Sequence, residues 1–163
     1  GSRVVRENPG VPVVRRITGG GCVLHGEDLI FSLITRSFLG PVKESYRTVH
    51  EAVKRSFAGC GLDPRFYRDD ENLPKGGDCF DYPVASDLSW KGKKIAGGAQ
   101  KRSEGVLLHH ESICVPRGLE TAGLVAGIRR GFEELLGVTI EAARLDPELY
   151  WKAKDKEFIA DGL

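Results

Sequence analysis

Apolar residues recur at three- and four-residue steps in two stretches of the chain, residues 42–58 and 119–136. This spacing brings the apolar side chains to one face of a helix, so both stretches are predicted to be amphipathic helices. Gly59 and Gly61 follow the first stretch and Gly137 follows the second. Because glycine readily adopts the backbone conformation that ends a helix, these residues are predicted to stop the two helices.

Runs of β-branched and other apolar residues predict the strands. The predicted strands are residues 11–17, Leu29–Thr35, a hairpin over 86–100 that turns at Lys91-Gly92, and 106–108. Leu29–Thr35 is almost continuously apolar, so it is predicted to be buried. Strands with interspersed helices predict an α+β domain with a mixed, mainly antiparallel sheet flanked by helices.

Composition narrows the class of protein. The chain has 163 residues, with 24 Lys+Arg against 23 Asp+Glu, so its formal net charge is +1. A chain of this length is usually one domain, and a near-neutral charge argues against a general nucleic-acid binder. No apolar run approaches the ~18 residues that span a bilayer, and the first residues given do not show the charged-then-apolar pattern of a signal segment. The four cysteines lack C-x-x-C spacing, so we expect reduced thiols in a cytoplasmic protein.

The main domain is predicted to cover residues 3–137, and residues 138–163 are predicted to form a C-terminal helical extension. Asp146-Pro147 is predicted to open the helix of this extension, because aspartate caps helix N-termini and proline fits the first turn.

Residues 15–26, which we call the glycine loop, form the first candidate site. In this segment two arginines lie shortly before three consecutive glycines. Glycines let backbone N–H groups approach a bound group closely, and arginines offer charge-assisted hydrogen bonds to a phosphate or a carboxylate. The alternative is a flexible turn with solvated arginines. The spacing matches neither the P-loop nor the dinucleotide-binding pattern.

A lysine and a cysteine give two further candidates. Lys93 and Lys94 precede an apolar pair and two glycines, which suggests an ammonium aimed into a pocket. Successive strand residues face opposite sides, so at most one lysine serves that pocket, and exposed hairpin charges are the alternative. Cys79 ends the polar stretch 68–78, which is predicted to be an exposed loop. A lysine nearby would lower the pKa of this thiol and make it nucleophilic, whereas a small filler residue is the alternative.

These pieces occur in one order along the chain: R-R-x-T-G-G-G-x-V-x-H, C-F-x-x-P-x-x-x-D-L, G-K-K-I-A-G-x-A-Q-x-R and H-H-x-S. In this order they resemble the biotin/lipoate A/B ligase superfamily, and within it the cysteine-dependent octanoyltransferases related to lipoate–protein ligase A. The resemblance runs from about Val11 to Val115 and implies that residues 3–137 are the catalytic domain. The family carries a further N-terminal segment, so the resemblance implies an incomplete N-terminus or a separate N-terminal chain.

The resemblance implies that an octanoyl group moves from acyl carrier protein to a lysine of a lipoyl domain, such as glycine-cleavage H protein, in lipoate biosynthesis. Cys79 would take the acyl group as a thioester and Lys94 would hold its carbonyl. The pocket would be shaped by Arg16, Thr18, Gly19, Gly20, Gly21, His25, Gly97, Gly98, Ala99 and His110. The resemblance implies no cofactor for this transfer.

Three positions depart from the pattern that the family usually shows. Glu111 stands where glycine is usual, Gly98 where serine is usual, and Phe31 where tyrosine is common. A carboxylate at position 111 is expected either to disturb the pocket or to face solvent. Each of the three changes would alter the substrate or reduce the activity.

Two other functions stay open at this point. A lipoate–protein ligase would share the glycine loop and the lysine but would use ATP and Mg²⁺, and would need no cysteine at position 79. The Cys79-Phe80 pair favours the transferase. The second alternative is a non-catalytic or split-enzyme subunit that binds lipoyl domains. Cys22 and Cys114 are weaker candidates for the nucleophile.

The four histidines are scattered, with no carboxylate at ligand spacing, so the sequence predicts no metal site. His50 and His109 are interpreted as structural, and only one of His109 and His110 is expected to face inward.

Overall fold

A computed structural model describes residues 2–37, 39–68 and 83–149. Its centre is a five-stranded antiparallel sheet in the order β1-β5-β4-β3-β2. The strands are β1 (Leu29–Thr35), β2 (Arg65–Phe66), β3 (Leu88–Trp90), β4 (Lys93–Ser103) and β5 (Val106–Ile113). The helices are α1 (Arg3–Glu7), α2 (Val42–Gly59) and α3 (Thr121–Leu136). The α+β class is confirmed, and every pairing in the described sheet is antiparallel.

Tight turns set the register of the central strands. Lys91 and Gly92 between β3 and β4 both have positive φ, 50° and 76°. Glu104 and Gly105 between β4 and β5 do the same, at 51° and 75°. Two positive φ values in a two-residue loop match the twist of antiparallel strands, which is why such turns join hairpins. The predicted hairpin and its turn are confirmed, and β4 and β5 extend beyond the predicted strands.

Both long helices pack on one face of the sheet. The Phe31 and Phe132 rings meet edge to face at 5.9 Å, which joins β1 to α3. Gly127 and Gly131 of α3 lie directly against Ser56 and Ala52 of α2. The core between these layers is apolar and largely inaccessible to solvent, and its most buried members include Val49, Ala52, Val53, Phe57, Leu88, Ala96, Ile113 and Leu124. Burial of this apolar area is the main stabilising contribution to the domain.

The helix predictions are confirmed at their ends. The predicted helix over 42–58 is α2, which ends one residue later at Gly59, and Gly61 follows with a φ of 78°. The predicted helix over 119–136 is α3, which begins two residues later than predicted, at Thr121, and Gly137 ends it in the left-handed conformation. The expected cap also forms, since the Asp146 carboxylate accepts the N–H of Glu148 at 2.9 Å. Of the proposed helical extension, residues 138–146 have no regular structure, residues 147–149 are helical, and residues 150–163 lie outside the described residues.

One strand prediction is wrong. Residues 11–17 contain a single bridge residue, Val14, and otherwise no regular structure. Val11, Val14 and Ile17 are all about half exposed or more, so the apolar run does not enter the described sheet. Shortly before this run, Arg3–Glu7 form a five-residue helix that the hydrophobic pattern did not indicate.

The burial predicted for Leu29–Thr35 is also wrong, although its bounds are confirmed. The strand lies at the edge of the sheet and alternates between half-buried and exposed residues. Ile30 and Ile34 are 49% and 69% exposed because they point away from the helices. None of the described helices is both long and apolar enough to cross a membrane.

Candidate active site

The face of the sheet away from the helices carries most of the candidate residues. Ala99 of β4 lies opposite His110 of β5, and Gly97 lies opposite Ser112. Paired residues in an antiparallel ladder point to the same side of the sheet. These two rows therefore form a surface, which we call the site face.

Arg16 holds the glycine loop in shape. One of its guanidinium nitrogens donates to Thr18 Oγ1 and the other to the Gly21 carbonyl, both at 3.0 Å. Gly20 has a φ of 99°, and a Cβ there would lie 2.7 Å from Arg16 Nη2. Glycine is therefore required at position 20 by both backbone conformation and space. Gly19 shows no such close neighbour.

The loop reaches the site face through Thr18. Its side chain is 7% exposed and its Oγ1 lies 3.4 Å from His110 Nδ1. Burial lowers the pKa of His110, and the positive charges of Arg16 and His109 lower it further. His110 is therefore a neutral imidazole at neutral pH, able to accept or donate one hydrogen bond.

His25 reaches the same face through Asp28. His25 Nδ1 lies 2.7 Å from Asp28 Oδ2, and that oxygen also accepts from Ser112 Oγ at 2.6 Å. Burial would raise the pKa of Asp28. Hydrogen bonds from Ser112, His25 and the Gly26 N–H outweigh this effect, so the pKa of Asp28 is lowered. Asp28, which links the glycine loop to β1, is therefore ionised at neutral pH.

Lys94 lies over Gly97 on this face. A Cβ at Gly97 would collide with Lys94 Cε. Lys94 Nζ makes a 2.6 Å ion pair with Asp87 Oδ2, and both side chains are under 5% exposed. A β-bulge causes this placement, because β4 has one extra residue between the positions opposite Leu88 and Ser89. The extra residue turns Lys94 away from the helix-covered face.

Only one of the two adjacent lysines enters the fold, as expected. Lys93 is exposed on the surface, whereas Lys94 is enclosed. Burial raises the pKa of Asp87, while the charge of Lys94 and its hydrogen bond oppose that rise.

The proposed nucleophile, Cys79, lies outside the described residues, and so does most of the predicted loop over 68–78. Among the described cysteines, Cys22, Cys60 and Cys114 are free thiols. Burial and the charge of Asp28 raise the pKa of Cys114, with Lys94 acting in the opposite direction. Cys114 is therefore a protonated thiol at neutral pH, which agrees with its lower rank as a nucleophile.

Gly98 is not brought to the site face. It pairs with Glu111, and a Cβ at Gly98 would collide with Glu111 and His109. Glu111 is 1% exposed, so the expectation that its carboxylate disturbs the pocket or faces solvent is wrong. It lies instead on the face covered by the helices, because β5 alternates and His110 and Ser112 take the other side.

Glu111 belongs to a cluster that the sequence analysis missed. Its Oε2 lies 3.1 Å from His50 Nε2 and 2.7 Å from His109 Nε2, and both imidazoles are fully buried. Burial would raise the pKa of Glu111, but the charge of His50 and the hydrogen bonds from both histidines hold that pKa well below its usual range. The signal available in the sequence was the i, i+2 spacing of His109 and Glu111 on a strand.

Comparison with known proteins places this arrangement in a family. The model of the lipoyl protein ligase A/B catalytic domain matches residues 4–131. The chain belongs to this family. The expected superfamily is thereby confirmed.

Within this family, the chain is similar to several curated octanoyltransferases named LipM. The chain is 33% identical over 166 aligned positions to octanoyltransferase LipM of Kyrpidia tusciae, covering 86% of this chain and 61% of the relative. It is 42% identical over 120 positions to LipM of Lysinibacillus sphaericus, covering 67% and 43%. It is 40% identical over 111 positions to LipM of Bacillus subtilis, covering 61% and 40%. The chain therefore spans about two fifths to three fifths of the length of these relatives.

Solved structures share the fold. Lipoate-protein ligase A bound with ATP superposes with a TM-score of 0.75 at 24% identity, covering 93% of this chain and 71% of that one. A bi-partite lipoate protein ligase from Thermoplasma acidophilum gives 0.69 at 24% identity, covering 91% and 68%. At this level of identity the likeness concerns the fold alone.

Three residues of the site face were not singled out by the sequence analysis. They are Asp87, the ion-pair partner of Lys94, and Asp28 and Ser112, which hold His25. Asp87 lies within the C-F-x-x-P-x-x-x-D-L pattern, and that position was its only signal in the sequence.

Proposed function

We propose that this chain carries the catalytic region of an octanoyltransferase of lipoate biosynthesis. In this proposal an octanoyl group passes from acyl carrier protein to Cys79 and then to a lysine of a lipoyl domain, such as glycine-cleavage H protein. The observation that carries the proposal is the enclosed Lys94–Asp87 pair on Gly97, on the face that Arg16, Thr18 and His110 share. The similarity to LipM proteins supports octanoyl as the acyl group.

The first step forms one thioester and cleaves another. Cys79 loses its proton, its thiolate attacks the thioester carbon of the acyl carrier protein and forms a new S–C bond, the S–C bond to the carrier breaks, and the carrier sulfur takes up a proton to leave as a thiol. Lys94 is the group proposed to face the carbonyl oxygen while it bears negative charge. A single such donor typically stabilises an acyl-transfer transition state by about 3 kcal/mol.

The second step consumes the thioester. The acceptor lysine amine attacks the octanoyl carbon, an amide forms, and Cys79 leaves as a thiol. Exchange of a thioester for an amide is downhill, so neither ATP nor Mg²⁺ takes part in the proposed reaction. Covalent transfer through the thiol divides one difficult step into two easier ones.

The enclosed ion pair gives Lys94 a defined position. A lysine on a flexible stem loses rotamer freedom when it is ordered, which costs free energy. In this chain the cost falls on folding, because Asp87 and Gly97 already fix Lys94 Nζ. Binding of the substrate then needs no further ordering of this side chain.

The decisive experiment is intact-mass spectrometry after mixing the chain with octanoyl-acyl carrier protein. We expect one octanoyl group per chain, lost in Cys79→Ser and retained in Cys114→Ser, the matched thiol control. Addition of a lipoyl domain should then move the octanoyl group to that domain.

Two results would contradict the transferase. Formation of lipoyl-AMP that requires ATP, with no octanoyl adduct on the chain, would show a lipoate–protein ligase. Binding of the lipoyl domain with neither an adduct nor an adenylate would show a non-catalytic or split-enzyme subunit. A chain that stays octanoylated in Cys79→Ser would assign the nucleophile to another residue.

A further inference from the structure

The buried cluster of His50, His109 and Glu111 is built from two elements that meet in the core. His50 comes from α2, and the other two residues come from one face of β5. One ligand atom from each residue lies within 4.8 Å of the other two. Each residue is at most 1% exposed. Buried groups of this kind are expected to be paired or to coordinate a metal.

Hydrogen bonds around the cluster orient both imidazoles. His50 Nδ1 lies 2.5 Å from the Ser86 carbonyl, which only accepts, so Nδ1 carries a hydrogen and Nε2 is turned toward Glu111. His109 Nδ1 lies 3.0 Å from the side-chain amide nitrogen of Gln100, which donates to it, so His109 carries its hydrogen on Nε2 and directs it at Glu111. Histidines that bind metals nearly always donate a hydrogen from their second ring nitrogen, as His50 does to the Ser86 carbonyl. For His109 to do the same, the Gln100 amide has to turn its oxygen toward Nδ1.

Glu111 supplies the second observation. Its Oε2 accepts hydrogen bonds from both histidines, whereas its Oε1 is buried and has no hydrogen-bond partner among the residues that the structure describes. A buried carboxylate oxygen without a partner is costly and calls for an ion or a water. A cation between the three residues could use both oxygens of the carboxylate.

Gly98 provides the space for the cluster. It faces Glu111 across the ladder, and any Cβ at position 98 would collide with His109 and Glu111. Glycine at position 98 and glutamate at position 111 are therefore sterically complementary. The carboxylate occupies room that the smaller residue opens.

We propose that His50, His109 and Glu111 bind one divalent first-row transition-metal ion that ties α2 to β5. Two imidazoles and one carboxylate are the donor set of Zn²⁺ and of similar ions, whereas Mg²⁺ and Ca²⁺ prefer oxygen ligands alone. The ion takes the place of the hydrogens that the two Nε2 atoms otherwise direct at Glu111. Its role is structural, because the cluster lies on the helix-covered face and not on the site face.

The first test uses the unaltered chain, purified without a metal-affinity tag and without chelator. Elemental analysis is expected to give about one transition-metal ion per chain. After removal of metal by a chelator, saturating Zn²⁺ is expected to raise the melting temperature by roughly 5–10 °C. A Co²⁺ absorption spectrum typical of nitrogen and oxygen ligands, without thiolate charge transfer, would separate this site from one built on cysteines.

The second test uses matched variants. The double change Gly98→Ser with Glu111→Gly removes the carboxylate ligand and fills part of the space that it leaves, and is expected to abolish the Zn²⁺-dependent shift. His109→Gln is a second route to the same loss, should the double variant not fold. His110→Gln, on the same strand but on the opposite face, is the control and should keep the shift.

Either of two outcomes overturns the proposal. One is that Zn²⁺, Co²⁺, Fe²⁺ and Mn²⁺ all leave the melting temperature of the metal-free chain unchanged. The cluster would then be a buried hydrogen-bonded network of two imidazoles and a carboxylate. The other is that the shift persists in both the double variant and His109→Gln, which would place the bound ion elsewhere.

Discussion

Neighbouring residues on β4 and β5 serve different faces of the sheet. Gly97 accommodates Lys94 on the site face, whereas Gly98 leaves room for Glu111 and His109 in the core. A one-residue shift of either strand would exchange the two roles. The register set by the Glu104-Gly105 turn therefore decides which face each residue serves.

The ion pair of Asp87 and Lys94 gives the first prediction. Asp87→Asn removes the charge that lies 2.6 Å from a buried ammonium. Breaking a buried ion pair from one side typically costs about 3–5 kcal/mol, because the remaining charge stays in a medium of low polarity. We expect a loss of that size in the free energy of unfolding, measured by urea denaturation.

A double-mutant cycle checks the cause of this loss. Asp87→Asn with Lys94→Gln should destabilise the chain by clearly less than the sum of the single changes, because the two charges interact directly. Lys93→Gln is the neighbouring control and should stay within about 0.5 kcal/mol of the unaltered chain. Strict additivity of the two buried changes would refute the coupling.

At the scale of elements, the contact between α2 and α3 depends on small residues. Gly123, Gly127 and Gly131 recur at four-residue steps on α3. A Cβ at Gly131 would lie 2.9 Å from the Ala52 Cα, and one at Gly127 would lie 2.9 Å from the Ser56 Cα. Because backbone atoms form the other side of these contacts, the helices approach more closely than larger residues would allow.

The close approach of α2 and α3 predicts that a Gly→Ala change has opposite effects on stability at two positions of α3. Gly→Ala favours a helix by up to ~1 kcal/mol, and Gly123 has space for it, with Cys60 Sγ at 3.8 Å as the nearest neighbour of the added Cβ. Gly123→Ala should therefore stabilise the chain slightly. Gly131→Ala should destabilise it by about 1–3 kcal/mol, because overpacking outweighs the helix preference. Equal stabilisation by both changes, in chemical denaturation, would show that α3 does not approach α2 as described.

Regular elements were the most predictable part of the fold. Local patterns in the sequence indicate α2 and α3 through the spacing of their apolar residues. They also indicate the Lys91-Gly92 turn and the bounds of β1. Residues 11–17 show where this reasoning fails, because an apolar run becomes a strand only when another strand is available to pair with it. That pairing is a property of the whole fold.

At the scale of the whole molecule, the two faces of the sheet carry two separate groups of charged and polar side chains. The helix-covered face encloses His50, His109 and Glu111, and the other face carries Lys94 and His110. The glycine loop, Lys94 and His110 were recognisable as candidates from their sequence motifs, and their roles stay a prediction. Asp87, Asp28 and the buried cluster were not, because they come together only through the bulge in β4 and the register of β5.

Asp28 connects the glycine loop to the sheet through His25 and Ser112. Its ionisation predicts how the stability of the whole domain depends on pH. Its folded pKa lies below its ordinary value of 3.8. A lowered folded pKa means that the carboxylate stabilises the fold at pH values above the ordinary pKa, and that this contribution is lost as the pH falls through the folded value. Asp28→Asn should therefore cost about 1.5–3 kcal/mol at pH 7, the usual range for hydrogen bonds to a charged group. The difference from the unaltered chain should shrink below about pH 4 in urea denaturation series.

Asp63→Asn, at a carboxylate that is 96% exposed, is the control and should show little difference at any pH. A constant gap between Asp28→Asn and the unaltered chain across this range would mean that the Asp28 charge does not hold the loop on the sheet.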